Sequence, residues 1–314
     1  MDVSVIIPTF NRWPMLAEAV VSVMAQRSVD FELIIVDDGS TDDTAARLPH
    51  WLEEIDARHP VRILQTTNRG PAEARNYGVA AARAPLISFL DSDDLWRPDK
   101  LQQQVEYMMK HPQCLALQTE EIWLRQGIRV NPGRRHRKHG GIFFLQSLRT
   151  CLVSPSATIM RASLFRKLGG FDQDLRAAED YDLWLRLQLE CPIALLPEPL
   201  VIRRAGHPGQ LSATVVAIDR FRILSLLKLL RRNDLRRDRR EAVCDALIEK
   251  CRIYGNGAAR RGNRKEADWI ASIAQMSNLV WRAVADGTVE NAVEMMRARL
   301  RSQELFHNCS AWDG

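Results

Sequence analysis

Four short apolar runs punctuate the first third of the chain: Val3-Ser4-Val5-Ile6-Ile7, Phe31-Glu32-Leu33-Ile34-Ile35-Val36, Val61-Arg62-Ile63-Leu64 and Leu86-Ile87-Ser88-Phe89-Leu90. Brief runs rich in β-branched residues and closed by proline or polar residues read as buried strands. Between and after them, residues 11–26, 72–82 and 98–109 carry apolar or Ala-rich patterns at helical spacing, and Pro14 sits near the first turn of the first. Ser40 or Thr41 can cap a further helix after the second run. Strand alternating with helix predicts a parallel sheet covered by helices on both faces. Sheets of this kind gather ligands at the carboxyl ends of their strands. Three such ends are polar here: Thr9-Phe10-Asn11, Asp37-Asp38-Gly39-Ser40 and Asp91-Ser92-Asp93-Asp94.

The last of these clusters sets a physical problem. Three carboxylates in four positions repel one another, and burying one without a partner costs several kcal/mol or moves its pKa. Asp91 and Asp93 are two apart just beyond a strand, a spacing that puts both side chains on one side. Two hard oxygen ligands on one side suit Mg²⁺ or Mn²⁺ completed by phosphate oxygens and water. A solvated acidic turn capping the helix after Pro98 accounts for the same residues.

The remainder is less patterned. Arg134-Arg135-His136-Arg137-Lys138-His139-Gly140-Gly141 reads as a mobile basic loop, solvated or touching an anionic acceptor. It has no interleaved aromatic residue, which argues against nucleic acid. Short strands are expected near residues 193–196 and 200–203, of which Arg203 and Arg204 alternate so that at most one faces a pocket. From about Thr214 the chain reads as helices only. Of 44 Lys/Arg and 39 Asp/Glu, residues 215–314 hold 19 and 13, leaving 25 and 26 for residues 1–214. The basic excess therefore belongs to the tail. Residues 222–232 are basic and amphipathic, and either pack their leucines on the main domain, the preferred reading, or lie on a membrane surface near a lipid-linked acceptor. The six cysteines are far apart and read as small buried hydrophobes. No apolar run approaches the ~20 residues that cross a bilayer, and the N-terminus has no basic segment ahead of its apolar run. The expected location is cytoplasmic, or peripheral at the inner face of the membrane.

Taken in order, Val3–Arg12, Ile34-Ile35-Val36-Asp37-Asp38-Gly39-Ser40-Thr41-Asp42, Gly70-Pro71-Ala72-Glu73-Ala74-Arg75-Asn76-Tyr77-Gly78 and Phe89-Leu90-Asp91-Ser92-Asp93-Asp94 closely resemble the family-2 glycosyltransferases of the GT-A fold. Gly169-Gly170-Phe171-Asp172, Glu179-Asp180-Tyr181-Asp182-Leu183-Trp184 and Arg203-Arg204-Ala205-Gly206-His207 extend the resemblance over residues 1–214. It implies an α/β, Rossmann-like, mainly parallel sheet flanked by helices, with residues 1–112 binding the nucleotide and 113–214 the acceptor. The helical region 215–314 is an extension to it. The resemblance further implies that Pro8, Thr9, Phe10, Asp38 and Arg75 line the base pocket, that Asp91 sits near the ribose, and that Asp93 binds the metal. It makes Asp180 the catalytic base and brings His207 to the metal or the diphosphate. The expected donor is a nucleotide-diphosphate sugar, with UDP- or dTDP-sugars favoured. The expected acceptor is a glycan or a lipid-linked glycan in cell-surface glycan or glycoconjugate synthesis, with no nucleic acid partner.

The residue types suit that chemistry on their own terms. A divalent metal stabilises the leaving diphosphate. A carboxylate takes the acceptor proton. One base without a carboxylate nucleophile on the opposite face gives direct displacement with inversion. Two other readings compete. A sugar-nucleotide nucleotidyltransferase wants a Gly-rich loop after the first strand, and Pro8-Thr9-Phe10-Asn11-Arg12 is not Gly-rich. A non-catalytic nucleotide-sugar-binding or scaffold protein is expected to lose Asp93 or Asp180, and both are present. The transmembrane helices and Gln-x-x-Arg-Trp segment of the family's processive synthases are missing, which points to addition of one or a few sugars.

Overall fold

β1 (Val3–Thr9) and β2 (Phe31–Asp37) pair in parallel, and every residue of both is buried. A strand covered on both faces needs apolar residues at consecutive positions, which is what these runs supply. The computed structural model describes residues 1–55, 58–207, 209–210, 215 and 218–286. The chain divides into two compact units, Met1–Val216 and Ala217–Gly314.

In the first unit, β3 (Val61–Gln65) and β4 (Leu86–Phe89) flank the first pair in parallel. Beyond β4 the sheet becomes mixed. It continues through β8 (Thr158–Arg161), β6 (Ala116–Arg125), β9 (Ala194–Ala205) and the short β5 (Leu95–Trp96), while β7 (Ile128–Val130) hangs on β6. Alternation along β1 splits the core. Val3, Val5 and Ile7 meet α1 (Trp13–Met24), α2 (Thr44–Glu54) and α4 (Lys100–Lys110) on one face. Ile6 and its neighbours meet α3 (Pro71–Ala81), α6 (Ala162–Lys167) and α7 (Glu179–Glu190) on the other, beyond the single turn α5 (Phe144–Ser147). Helix α3 comes close to β1 because position 78 is glycine: a Cβ there would lie 2.5 Å from Ile6 Cγ2.

The two short strands expected at 193–196 and 200–203 are one strand, β9. Its ladder with β6 shifts register at Thr119/Glu120 and Glu120/Glu121. Pro197 and Pro199 lie in that stretch and have no N–H to donate, which explains the irregularity. The basic loop is not simply solvated: Arg134–His136 forms a 3₁₀ turn and Lys138 is buried.

The second unit holds α8 (Asp219–Leu230), α9 (Arg237–Arg260) and α10 (Arg264–Asp286). Leu226, Leu227, Leu229 and Leu230 on α8 are buried. Buried Arg240 donates to the carbonyls of Leu230 and Arg232 at 3.0 and 2.9 Å, closing the end of α8. Among the described residues no helix is long and apolar enough to cross a membrane. The cysteines of both units are free thiols; Cys309 lies outside the described residues.

Lys100 is fully buried on α4 with neutral partners. Its ammonium donates to Ser88 Oγ (3.1 Å) and Gln104 Oε1 (2.8 Å) and lies 3.7 Å from the centre of the Trp96 ring. Burial pushes its pKa well below the usual lysine value. The folded chain therefore binds fewer protons than the unfolded chain between that lowered pKa and the ordinary one, and stability contributed by Lys100 rises with pH through this window. The melting temperature of the parent should climb relative to that of Lys100→Met as pH is raised from 7 to 9.5. A difference that is constant across this range would show that Lys100 stays charged when buried.

Candidate active site

The carboxyl ends of β1 and β2 form the first wall. Pro8 and Thr9 are buried at the end of β1, and Phe10 is exposed beyond it. Asp38 is buried, with its backbone N–H donating to the Thr9 carbonyl at 2.9 Å. Its carboxylate accepts from the Thr66 hydroxyl, from the Arg69 N–H (2.9 Å) and from the Gly70 N–H (2.7 Å). Asp38 thus closes the amino end of α3 rather than the helix after Ser40. Asn11, at φ +49°, ties the two loops together: its Oδ1 accepts from the N–H groups of Thr41 (2.7 Å) and Asp42 (3.1 Å), and its own N–H donates to Ser40 Oγ.

The second wall is the Asp91–Asp94 turn, whose three carboxylates lie within 4.8 Å of one another. Each has a different partner. Asp91 accepts from Arg75 at 2.6 Å. Asp93 Oδ2 accepts from Arg12 at 2.7 Å and lies 2.9 Å from His207 Nε2. Asp94 is buried, and accepts from the Ser156 hydroxyl (2.7 Å) and the Arg204 backbone N–H (3.0 Å). Burial first, then the charges of Asp93 and Asp91, pushes the Asp94 carboxyl well above the ordinary carboxylate range. Ser156 Oγ also accepts from the Asp91 N–H at 3.1 Å, so one buried hydroxyl spans both ends of the turn. Its carbonyl holds the Trp96 indole N–H at 2.8 Å.

The third wall is the start of α7. Ala178 sits in the left-handed region at φ +59°, a sparsely populated conformation for a residue with a Cβ, and this turns the next two carboxylates inward. Glu179 is buried and accepts from Arg75 at 2.6 Å. Arg75 therefore bridges Asp91 and Glu179, with its guanidinium carbon 5.1 Å from the centre of the Phe171 ring. Burial opposes the arginine charge, but Asp91 and Glu179 outweigh it and its pKa is raised. Burial pushes the Glu179 carboxyl up to about 7; Arg75 pulls against this and Asp180 adds to it. Asp180 is half-buried. Its Oδ1 accepts from the Tyr181 N–H (2.7 Å) and its Oδ2 from Cys151 Sγ (3.4 Å). The Gly169-Gly170-Phe171 turn is clasped by Asn76 of α3, and a Cβ on Gly170, at φ +75°, would lie 2.6 Å from Asn76 Oδ1.

The structure thus brings Asp91, Asp93, Arg75, His207 and Asp180 to one end of the sheet, with Asp38 and Thr9 on the same rim. Of the two alternating arginines, Arg203 lies against Glu121 and Trp123, while Arg204 turns to Glu18 and the Asp93 carbonyl. Arg12, Ser156, Cys151 and Glu121 escaped the sequence reading. Arg12 follows directly on Pro8–Asn11, but Ser156 sits in an unremarkable stretch and carries no local signal. A cavity of about 630 Å³, lined by Met24, Gln26, Arg27 and His59 among others, precedes β2 and β3 in the chain and so lies at the amino ends of the strands, away from this chemistry.

The donor set fits a hard divalent cation. Asp93 projects from a turn of three carboxylates, with an imidazole beside it, and oxygen and imidazole nitrogen donors together suit such a cation.

Known proteins share the sequence pattern and the fold. A model of glycosyl transferase family 2 matches residues 4–169. An uncharacterized glycosyltransferase of Rickettsia felis is 33% identical over 189 residues, which cover 59% of this chain and 30% of that protein. The putative teichuronic acid biosynthesis glycosyltransferase TuaG of Bacillus subtilis is 44% identical over 108 residues, 34% of this chain and 42% of the relative. The chain spans about a third of the length of the curated rickettsial relatives it matches first. Among solved structures, S. aureus TarS 1–349 superimposes with a TM-score of 0.67 at 18% identity, covering 96% of this chain and 92% of that one. The mannosyltransferase PcManGT from Pyrobaculum calidifontis gives 0.59 at 18% identity, covering 96% and 88%. These likenesses establish the GT-A-type fold with its helical C-terminal region. With more than half of its length under the family's model, the chain belongs to glycosyl transferase family 2.

Proposed function

We propose that the protein is a metal-dependent, inverting glycosyltransferase that moves a sugar from a nucleotide-diphosphate donor to a hydroxyl of a glycan or lipid-linked acceptor. The observation that carries this reading is the division of labour at Arg75. It engages Glu179 and Asp91 together, which leaves Asp180 as the carboxylate of the α7 pair without a cationic partner among the described residues. A carboxylate in that position is able to accept a proton.

The donor base lies against Pro8, Thr9 and Phe10, with a remaining lone pair of Asp38 accepting its ring N–H. Asp91 meets the ribose. Asp93 and His207 would hold Mg²⁺ or Mn²⁺, which would supply charge stabilisation to the diphosphate. Asp180 takes the proton as the acceptor O–H bond breaks. The new bond from that oxygen to the anomeric carbon forms while the bond to the diphosphate breaks. Displacement from the opposite face inverts the configuration. Structural neighbours support the donor class: TarS is in complex with UDP and with UDP-GlcNAc, and PcManGT with GDP-Man and Mn²⁺. TuaG, named for teichuronic acid, favours an acceptor in cell-surface glycan synthesis.

Asp180→Asn should leave the dissociation constant for UDP with Mn²⁺ nearly unchanged and lower turnover by ~10²-fold or more. Unaltered turnover removes Asp180 as the base. The nucleotidyltransferase and scaffold readings predict no such split between binding and rate.

Asp93→Asn should abolish the thermal stabilisation that Mn²⁺ adds to UDP, while the melting temperature without ligands stays close to that of the parent. Retention of the Mn²⁺-dependent shift would exclude Asp93 as the ligand.

Glu179 gives a pH signature. Its folded value of about 7 stands above the ordinary 4.5. Its stabilising contribution is therefore present at low pH and lost as pH rises through about 7. Between pH 5 and 8 the parent should lose up to about 3 kcal/mol relative to Glu179→Gln. Parallel stability curves for the two proteins would place the Glu179 carboxyl back in the ordinary range.

A further inference from the structure

The five consecutive basic residues Arg134-Arg135-His136-Arg137-Lys138 have a use that the transfer chemistry does not require. Two of them anchor the loop. Lys138 is buried, with its ammonium 2.9 Å from Glu121 and a hydrogen bond to Gln118 Oε1 at 3.3 Å. The His136 ring lies 5.3 Å from that of Trp123, whose indole donates to Glu121 at 2.9 Å. Gln118 also holds the His139 carbonyl (2.9 Å), and Gly141 bridges to Ile193. Burial pushes the Glu121 carboxyl up, but Lys138 and Arg203 outweigh it and hold it at about 2. Glu121 is therefore an anion under the loop, and it is committed to Lys138 and Arg203.

The other three are different. Arg134, Arg135 and Arg137 are exposed, and no carboxylate pairs with them among the described residues. Three guanidinium groups within four positions repel, and the anchors at His136 and Lys138 hold the loop that carries them. Residues 1–214 hold 25 Lys/Arg and 26 Asp/Glu, so this is a local concentration of charge in a unit with almost none overall. Its position is informative. Glu121, His136, Lys138 and Arg203 share a cavity with Cys151, and Cys151 donates to Asp180 Oδ2 at 3.4 Å. The loop thus stands on the side of the proposed base. The cavity itself, about 10 Å³, has room for no more than a water, so it buttresses the loop and does not itself hold a sugar.

Building on the glycosyltransferase reading, we propose that Arg134, Arg135 and Arg137 form a cationic rim that receives an acceptor glycan bearing anionic groups, carboxylate or phosphate, and leads its hydroxyl towards Asp180. Charge complementarity of this kind guides the acceptor and falls with salt.

The test uses the full chain and fluorescent oligogalacturonate as the probe, with neutral maltoheptaose beside it. The parent should bind oligogalacturonate in low salt and maltoheptaose at least tenfold more weakly. R134Q/R135Q/R137Q should weaken oligogalacturonate binding about tenfold or more, the combined effect of three exposed ion pairs. Binding of UDP with Mn²⁺ should not change, which shows that the variant is folded. R231Q/R236Q/R237Q, in the basic tail, should change oligogalacturonate binding less than twofold. Equal binding of the two oligosaccharides overturns the rim, as does loss through the tail variant in place of the loop variant. Because Ile142 and Leu145 are exposed just past the loop, phosphatidylglycerol vesicles form a further arm. Loop-dependent binding to vesicles without binding to oligogalacturonate would also overturn the proposal, in favour of a membrane surface. Failure of the parent to bind UDP with Mn²⁺ refutes the donor reading alone, while the oligogalacturonate result still decides the rim.

Discussion

The guanidinium of Arg75 joins the two halves of the site. It is buried on α3, contributed by the parallel part of the sheet, and it binds Asp91 after β4 and Glu179 at the start of α7. A buried cation with one carboxylate removed would face a penalty of about 3–5 kcal/mol. The three elements are therefore held together by mutual need. This arrangement also gives two adjacent acids different partners: Glu179 is engaged by Arg75, and Asp180 accepts from the Tyr181 N–H and from Cys151.

The crowding of Asp91, Asp93 and Asp94 finds three separate solutions. Asp91 has a buried arginine, and Asp93 has Arg12 with His207 beside it. Asp94 has a hydroxyl and a backbone N–H, with a carboxyl pushed towards its neutral form. Asp94 is thus an anchor for the turn more than a ligand. Asp93 is the one of the three that has an imidazole beside it as well as a guanidinium.

The change from parallel to mixed pairing at β4 gives the cleft its second side. β8 runs against β4, and Ser156 just before it reaches back to the Asp91–Asp94 turn. β6 and β9 then present Glu121 and Arg203 to the basic loop. The ladder between β6 and β9 is irregular where the prolines of β9 interrupt pairing.

What the sequence by itself determined is everything written in local pattern. The buried strands follow from consecutive β-branched residues, the helices from spacing, and the acidic and polar strand ends from turn chemistry at the carboxyl edge. Asp38, Arg75, Asp91, Asp93, Asp180 and His207 could be singled out as candidates because they stand in short motifs that resemble the family's. The helices of the second unit were legible from spacing. Only tertiary structure decided which charges meet. Arg75 and Glu179 are 104 residues apart, Arg12 and Asp93 are 81, and Asp94 and Ser156 are 62. No periodicity within a strand or helix encodes such pairs. The same holds for Lys138, which looked like one more charge in a solvated run until β6 placed Glu121 beneath it. Local propensity reports on backbone conformation over a few residues, whereas the partner of a charge depends on how the sheet folds back on itself.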